Sequence, residues 1–263
     1  LVGCGKMGGA LLAGWLRHDI GNTDVLVIEP FDRKNLEKHF NVPVIDSLDK
    51  LNAEFTPNII VFAVKPQAMD GIVPKYGHFV GSETMFLSIA AGKPTSYFQR
   101  QLGDAAAIVR SMPNTPAAVG QGITVAYRND AVSEAQKLIA TKLLGAVGEV
   151  GWVEDESLID GVTAVSGSGP AYVFLMIECL AQAGVKVGLD PGLAEQLARA
   201  TVAGSGELAR QSTDSASALR QNVTSPGGTT AAALDVLMGK NGLQKLMSQA
   251  VLAAEKRSRE LSD

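Results

Sequence analysis

The chain predicts an α/β domain with a doubly wound, mainly parallel sheet, followed by an all-helical domain. Three observations carry this. Through residue 153, short β-branched runs alternate with amphipathic stretches of helical length, the pattern of strand and crossover helix that gives a parallel sheet covered on both faces. Beyond that point strand patterning stops, and helical stretches separated by Gly, Pro and Ser clusters take over. Composition shifts as well, since no Phe, Tyr or Trp follows Phe174. The expected division is 1–153 and 154–263.

Each element follows from local pattern. Leu1-Val2 before Gly3 reads as the tail of a central strand, so a few native residues are expected to precede Leu1. Strands are predicted at 25–29, 59–64, 85–89, 108–112, 123–127 and 149–153. Helices are predicted at 7–17, 32–40, 93–102 and 133–144, the last opened by Ser133 and Gln136 as a capping box. The triplet Glu154-Asp155-Glu156 suits a helix N-terminus. A helix over 170–183 has Pro170 in its first turn, Gly184 as its stop and apolar residues on every side. Such a helix is buried all round, which a domain of ~110 residues hardly achieves alone, so a second subunit is expected to cover it.

Charge and composition exclude several classes. Lys and Arg total 23 against 27 Asp and Glu, a net −4, so no basic surplus is present to bind nucleic acid. Cys4 and Cys179 stand far apart with no C-x-x-C spacing, against a disulfide framework or a cysteine zinc site and in favour of a reducing, cytoplasmic location. No apolar run approaches the ~20 residues of a bilayer span, so a soluble protein without membrane partners is expected. His18, His39 and His78 stand singly among polar neighbours, and no H-E-x-x-H, G-x-S-x-G or Walker motif is present. No metal is expected.

The informative motif is Gly3-Cys4-Gly5-Lys6-Met7-Gly8, a G-x-G-x-x-G preceded by an apolar strand remnant and followed by an Ala/Leu-rich helix. Its glycines allow a tight turn, close approach of a pyrophosphate and close packing of helix on strand, the fingerprint of a Rossmann dinucleotide site. Glu29, about 21 residues after Gly8 at the end of the next predicted strand, is placed to accept from a ribose 2′-hydroxyl and to repel a 2′-phosphate. Arg33 and Lys34 lie a turn away, so both NADH and NADPH stay open as cofactors. Ligands of open α/β sheets sit beyond the carboxyl ends of the strands. That rule adds Val64-Lys65-Pro66, Ala91 within Ala90-Ala91-Gly92, and Asn114 within a proline-stiffened loop as cofactor contacts.

Two further clusters carry hydroxyls and glycine before helical stretches: Ser166-Gly167-Ser168-Gly169-Pro170, and Asn222-Val223-Thr224-Ser225-Pro226-Gly227-Gly228-Thr229-Thr230. Amides, helix dipole and hydroxyls there suit a carboxylate or phosphate, while Ser and Thr also serve simply as helix caps. For Ser166 the two readings balance; for Ser225 and Thr230 the length and glycine content of the loop favour binding.

In these stretches the chain resembles the pyrroline-5-carboxylate reductases. The likeness runs almost end to end, through 3–9, 63–66, 90–92, 110–116, 166–172 and 222–230. The resemblance implies a Rossmann domain joined to an all-helical domain that interlocks with its copy in a homodimer, with five dimers forming a decamer. It also implies reduction of (S)-1-pyrroline-5-carboxylate to L-proline by hydride from NADPH or NADH, the last step of proline biosynthesis. By the resemblance, Lys65 and Ala91 match cofactor contacts, and Asn222 lies near the nicotinamide ribose. Glu156, Val223, Thr224 and Ser225 match the substrate region, where Gly228 and Thr229 are expected to offer amides. Thr230 matches the threonine that reaches the imine nitrogen, and the expectation is that this loop meets the nicotinamide across a subunit boundary. Glu29-Pro30 stands where many members carry Ser or Asn followed by Arg, which puts the usual NADPH preference in question. Two other readings remain: a β-hydroxyacid dehydrogenase, whose helix lysine 170–183 lacks, and a non-catalytic NAD(P) sensor.

Overall fold

The computed structural model describes residues 1–18, 20–52, 54–81 and 83–262. The chain divides into two compact units, Leu1–Gly167 with Ala254–Asp263, and Ser168–Ala253.

The first unit is the α/β domain. Val2 pairs in parallel with Ile28 on one side and Phe62 on the other. It donates to the Val61 carbonyl at 2.8 Å, and Ile28 donates to the Leu1 carbonyl at 2.8 Å. The opening residues thus lie between β1 (Val27–Ile28) and β3 (Ile59–Phe62) as the centre of the sheet. Outward on one side runs β2 (Val44–Ile45), parallel to β1. On the other side follow β4 (Met85–Ser88), β5 (Ala107–Met112), β6 (Gly122–Arg128) and β7 (Gly148–Trp152), all parallel to their neighbours except the antiparallel β5–β6 pair. The order β2-β1-Val2-β3 reverses at Val2 and β3, which is where such sheets bind ligands.

The period of two along β3 divides its residues between two cores. Val61 joins Leu11, Leu12 and Trp15 of α1 (Lys6–Arg17) and Leu144 of α4 (Glu134–Gly145) on one face. Ile60 and Phe62 join Phe86, Ile108 and Phe98 of α3 (Thr95–Leu102) on the other. Both faces are covered, so the inner strands read as unbroken apolar runs. The capping box holds: Ser133 Oγ accepts from the Gln136 amide at 3.2 Å, and Gln136 Oε1 from the Ser133 amide at 3.0 Å. Strand 25–29 contracts to two residues, and two-residue β2 escapes prediction because it is too short to show a period. Helix α2 (Arg33–Phe40) follows β1.

The second unit is helical: α6 (Gly169–Lys186), α7 (Pro191–Gln211), α8 (Ala216–Asn222), α9 (Thr229–Leu237) and the start of α10 (Leu243–Ser262). Asp190 caps α7 by accepting from the Gly192 and Leu193 amides at 2.9 and 3.3 Å, with Pro191 in the first turn. Gly184 does not stop α6. A Cβ there would stand 3.1 Å from the Ala194 Cβ, so its role is close approach of α7, and the chain turns instead at Gly188, φ +98°.

The short helix α5 (Leu158–Val162) and the π-turn Thr163–Gly167 stay with the first unit, where Ile159 and Ala164 are buried, so the structural division falls after Gly167 rather than after 153. The acidic triplet therefore precedes a helix of only five residues, at which Asp155 accepts from the Ser157 amide at 2.9 Å. The helix over 170–183 is not enclosed in the single chain: Phe174 is 58% exposed, and Val173, Leu175 and Met176 are exposed with it. The helical stretch Leu158–Lys186 spans 29 residues, its most apolar 18 residues have mean hydropathy 1.4, and by length and composition alone it could cross a membrane.

Candidate active site

The glycine turn closes the central strand. Gly3 has φ +87°, and a Cβ on it would lie 2.7 Å from Val64 Cγ1, so both backbone and packing demand glycine. A Cβ on Gly8 would meet the Gly3 carbonyl at 2.6 Å and Ala63 Cβ at 3.1 Å, which is close packing of helix on strand. Gly5 differs, because nothing lies within 4 Å of its would-be Cβ. It forms the N-cap of α1 with no side-chain cap, so the helix opens with its amides and positive dipole end facing open space beside Lys6 and Met7. These residues fit the pyrophosphate of a dinucleotide.

Glu29 follows β1 and turns its carboxylate onto this turn. One oxygen accepts from the Cys4 amide at 2.8 Å and the other from the Phe31 amide at 3.1 Å. Burial, and then the Glu29 charge, push the Cys4 thiol up to about 11, so it stays protonated at neutral pH. Val64 and Lys65 follow β3, with Lys65 extended at φ −61°, ψ 142° before Pro66 and its side chain exposed. Ala91 is exposed after β4, whereas Gly92 is buried with φ +71°, and a Cβ there would stand 2.9 Å from the Leu261 carbonyl of α10. The ends of Val2, β1, β3 and β4 therefore carry the sequence-predicted cofactor residues on the carboxyl edge of one sheet. Asn114 is more constrained: its carbonyl accepts from the Ile123 amide at 3.0 Å, and its amide reaches Ser166 Oγ at 3.3 Å. That bond and the π-turn resolve Ser166 as part of a helical turn and not an open loop.

Glu156 is occupied by the protein itself. Its carboxylate accepts from the Thr95 amide at 2.7 Å, from Thr95 Oγ1 at 2.6 Å and from Arg110 at 3.0 Å. Arg110 is 4% exposed on β5 and also lies 4.0 Å from Asp160, which accepts from Ser258 of α10 at 2.6 Å. The carboxylate expected at the substrate thus ties α3, β5 and α5 together. Sequence reasoning missed Arg110, Asp160 and Ser258 as a group. A lone arginine inside an apolar strand was the available signal, because a buried cation needs carboxylate partners.

The hydroxyl loop lies in the second unit. Gly227 has φ +71°, and the Gly228 amide donates to the Ser225 carbonyl at 3.0 Å, so that amide is already used within the turn. Thr224 Oγ1 donates to the Arg220 carbonyl at 2.7 Å and leaves only lone pairs for a ligand. Among the described residues, Ser225 and Thr230 make no side-chain hydrogen bond; Ser225 is exposed and Thr230 half-buried. Asn222 ends α8, Val223 is exposed, and α9 starts at Thr229 without a side-chain cap. A first turn with unclaimed amides and two unclaimed hydroxyls can receive a carboxylate and a second hydrogen-bonding atom.

A sheet of this order with the glycine turn at its reversal is a dinucleotide-binding scaffold, and its junction to an all-helical unit sets the chain among the two-domain nicotinamide-dependent oxidoreductases. The family model "NADP oxidoreductase coenzyme F420-dependent" matches residues 1–92, and "Pyrroline-5-carboxylate reductase dimerisation" matches 156–261. The pyrroline-5-carboxylate reductase of Pseudomonas aeruginosa is 38% identical over 266 residues, covering 100% of this chain and 96% of the relative. That of Synechocystis is 39% identical over 264 residues, covering 99% and 97%. Among solved structures, a pyrroline-5-carboxylate reductase from Coxiella burnetii superposes with TM-score 0.93 at 34% identity over 100% of this chain and 97% of that one. A Plasmodium falciparum pyrroline carboxylate reductase with NADP bound gives TM-score 0.84 at 32% identity, with the same coverage. The chain belongs to the pyrroline-5-carboxylate reductase family.

Proposed function

We propose that this protein reduces (S)-1-pyrroline-5-carboxylate to L-proline with NADH or NADPH, the closing step of proline biosynthesis. The observation that carries the reading is the 222–230 loop, where Ser225 and Thr230 keep their hydroxyls and α9 keeps its first amides. When bound, the reduced nicotinamide supplies a hydride to C5 of the imine. A protonated C=N bond is already electrophilic, so the protein's task is to hold the substrate and steady the nitrogen.

Ser225 and the amides at Thr229 and Thr230 hold the carboxylate; Gly228 shapes the turn, since its own amide is bonded to Ser225. Thr230 hydrogen-bonds the ring nitrogen, which receives one proton from water as C5 receives hydride, so that imine, proton and reduced cofactor give proline and oxidised cofactor. Val223 and Thr224 line the approach, and Asn222 contacts the nicotinamide ribose. On the other unit, Gly3, Gly5, Lys6, Met7 and Gly8 take the pyrophosphate, Glu29 the adenosine ribose, and Val64, Lys65, Pro66, Ala91 and Asn114 the nicotinamide half.

The apolar face of α6 is covered by a second copy of the chain in a homodimer and not by lipid, because the matched dimerisation region, 156–261, contains it. Association of five dimers into a decamer extends the same proposal, and the two free cysteines suit the cytoplasm. The test is oxidation of NADH and NADPH with racemic pyrroline-5-carboxylate, with the product resolved by chirality. The expected result is turnover that consumes one enantiomer and yields L-proline. Cofactor binding with no imine-dependent turnover would refute the reading.

A further inference from the structure

We infer that Glu29, at the adenosine end of the cofactor site where β1 ends, selects NADH over NADPH. The inference rests on the reductase reading above and deepens it by choosing between two cofactors that differ only in a 2′-phosphate.

The Glu29 carboxylate is fixed from two sides. The Cys4 amide of the glycine turn holds one oxygen at 2.8 Å, and the Phe31 amide holds the other at 3.1 Å. Each oxygen of an ionised carboxylate has two acceptor sites, so each keeps one for a ligand hydroxyl. The 2′- and 3′-hydroxyls of an unmodified adenosine ribose are donors and fit those sites. A 2′-phosphate brings only acceptors and negative charge at neutral pH, and meets the carboxylate as like against like. Glu29 cannot swing aside without releasing the Cys4 amide in the turn that receives the pyrophosphate.

The nearby cations do not reverse this. Arg33, the nearer in sequence, pairs through Nε with Glu37 at 3.0 Å. Asp32 adds a further carboxylate at the start of α2. Lys34 makes no salt bridge among the described residues, and it is the side chain through which an opposite preference would act. Phe31 supplies the remaining element. Its ring is 77% exposed, and its amide is bonded to the ribose-reading carboxylate, so an apolar face stands beside the ribose position where adenine can stack.

Calorimetry with ADP-ribose and 2′-phospho-ADP-ribose tests this without the reaction. The wild-type protein is expected to bind ADP-ribose roughly tenfold or more tightly than the 2′-phosphorylated ligand. Glu29→Ala is expected to bring the two affinities within about threefold of each other. Phe31→Ala is expected to weaken both ligands alike, by roughly fivefold, and leave their ratio unchanged. Equal or tighter binding of the 2′-phosphorylated ligand by the wild type, with the advantage removed in Lys34→Ala, would overturn the inference. Tight ADP-ribose binding without imine-dependent oxidation of NADH supports the adenosine assignment while refuting the reductase reading, so the two failures are distinguishable.

Discussion

The α/β unit encloses apolar side chains on both faces of its sheet, from Leu11 and Trp15 on one side to Phe62, Phe86 and Phe98 on the other. Among the described residues of 168–253, by contrast, only Ala194 and Ala198 are buried, while Phe174, Leu175, Leu180, Val236 and Leu246 stand exposed. The two units have comparable apolar content but complete their cores differently. The first does so within one chain, through a sheet that both helical layers can cover. The second is a set of small-residue helices with too few partners within the chain, and in the proposed homodimer a second copy supplies the missing surface. The proposed function divides along the same line: the self-contained unit carries the rigid glycine turn, and the incomplete one carries the unclaimed hydroxyls.

The sharpest way to break this contrast is to place charge on the exposed helix. Each large apolar side chain that a partner covers contributes roughly 1.5–3 kcal/mol. Phe174→Asp is therefore expected to give monomers in sedimentation and a Tm that falls with the lost dimer, whereas Phe31→Asp, at a similarly exposed ring of the first unit, leaves both unchanged. Dimers of wild-type Tm in Phe174→Asp would show that the α6 face is not covered by a copy.

Next in size is the ion-pair group of the first unit. Removing one partner of a buried pair costs roughly 3–5 kcal/mol when the remaining charge is enclosed, and Arg110 is enclosed here. Glu156→Ala is expected to lower Tm by the equivalent of about 3 kcal/mol with little change in the substrate KM. A raised KM at unchanged Tm would return Glu156 to the substrate site.

How much of this was legible in the sequence follows the same division. The inner strands were readable because residues such as Ile60, Val61 and Phe62 face two covered layers and must all be apolar. The glycine turn was readable because Gly3 and Gly8 answer to backbone angle and close packing, which no other residue satisfies. The bonds of Glu156 to Thr95 and Arg110 were not legible, because these partners are distant in sequence and a motif cannot reveal that a carboxylate is already bonded. Gly184 was misjudged for a related reason. A glycine near a helix end and a glycine under a crossing helix look alike until Ala194 is seen beside it. In the 222–230 loop the residue types were plain, but the bonds that use the Gly228 amide and the Thr224 hydroxyl proton appear only in three dimensions.

The hydroxyls of the incomplete unit are proposed to do the work on the substrate. Steady-state kinetics of Thr230→Ala and Ser225→Ala, with NADH affinity measured alongside, test it most directly. Thr230→Ala is expected to lose roughly 100-fold in kcat, Ser225→Ala to raise KM roughly tenfold with kcat largely kept, and both to bind NADH as the wild type does. Full kcat in Thr230→Ala would contradict the account.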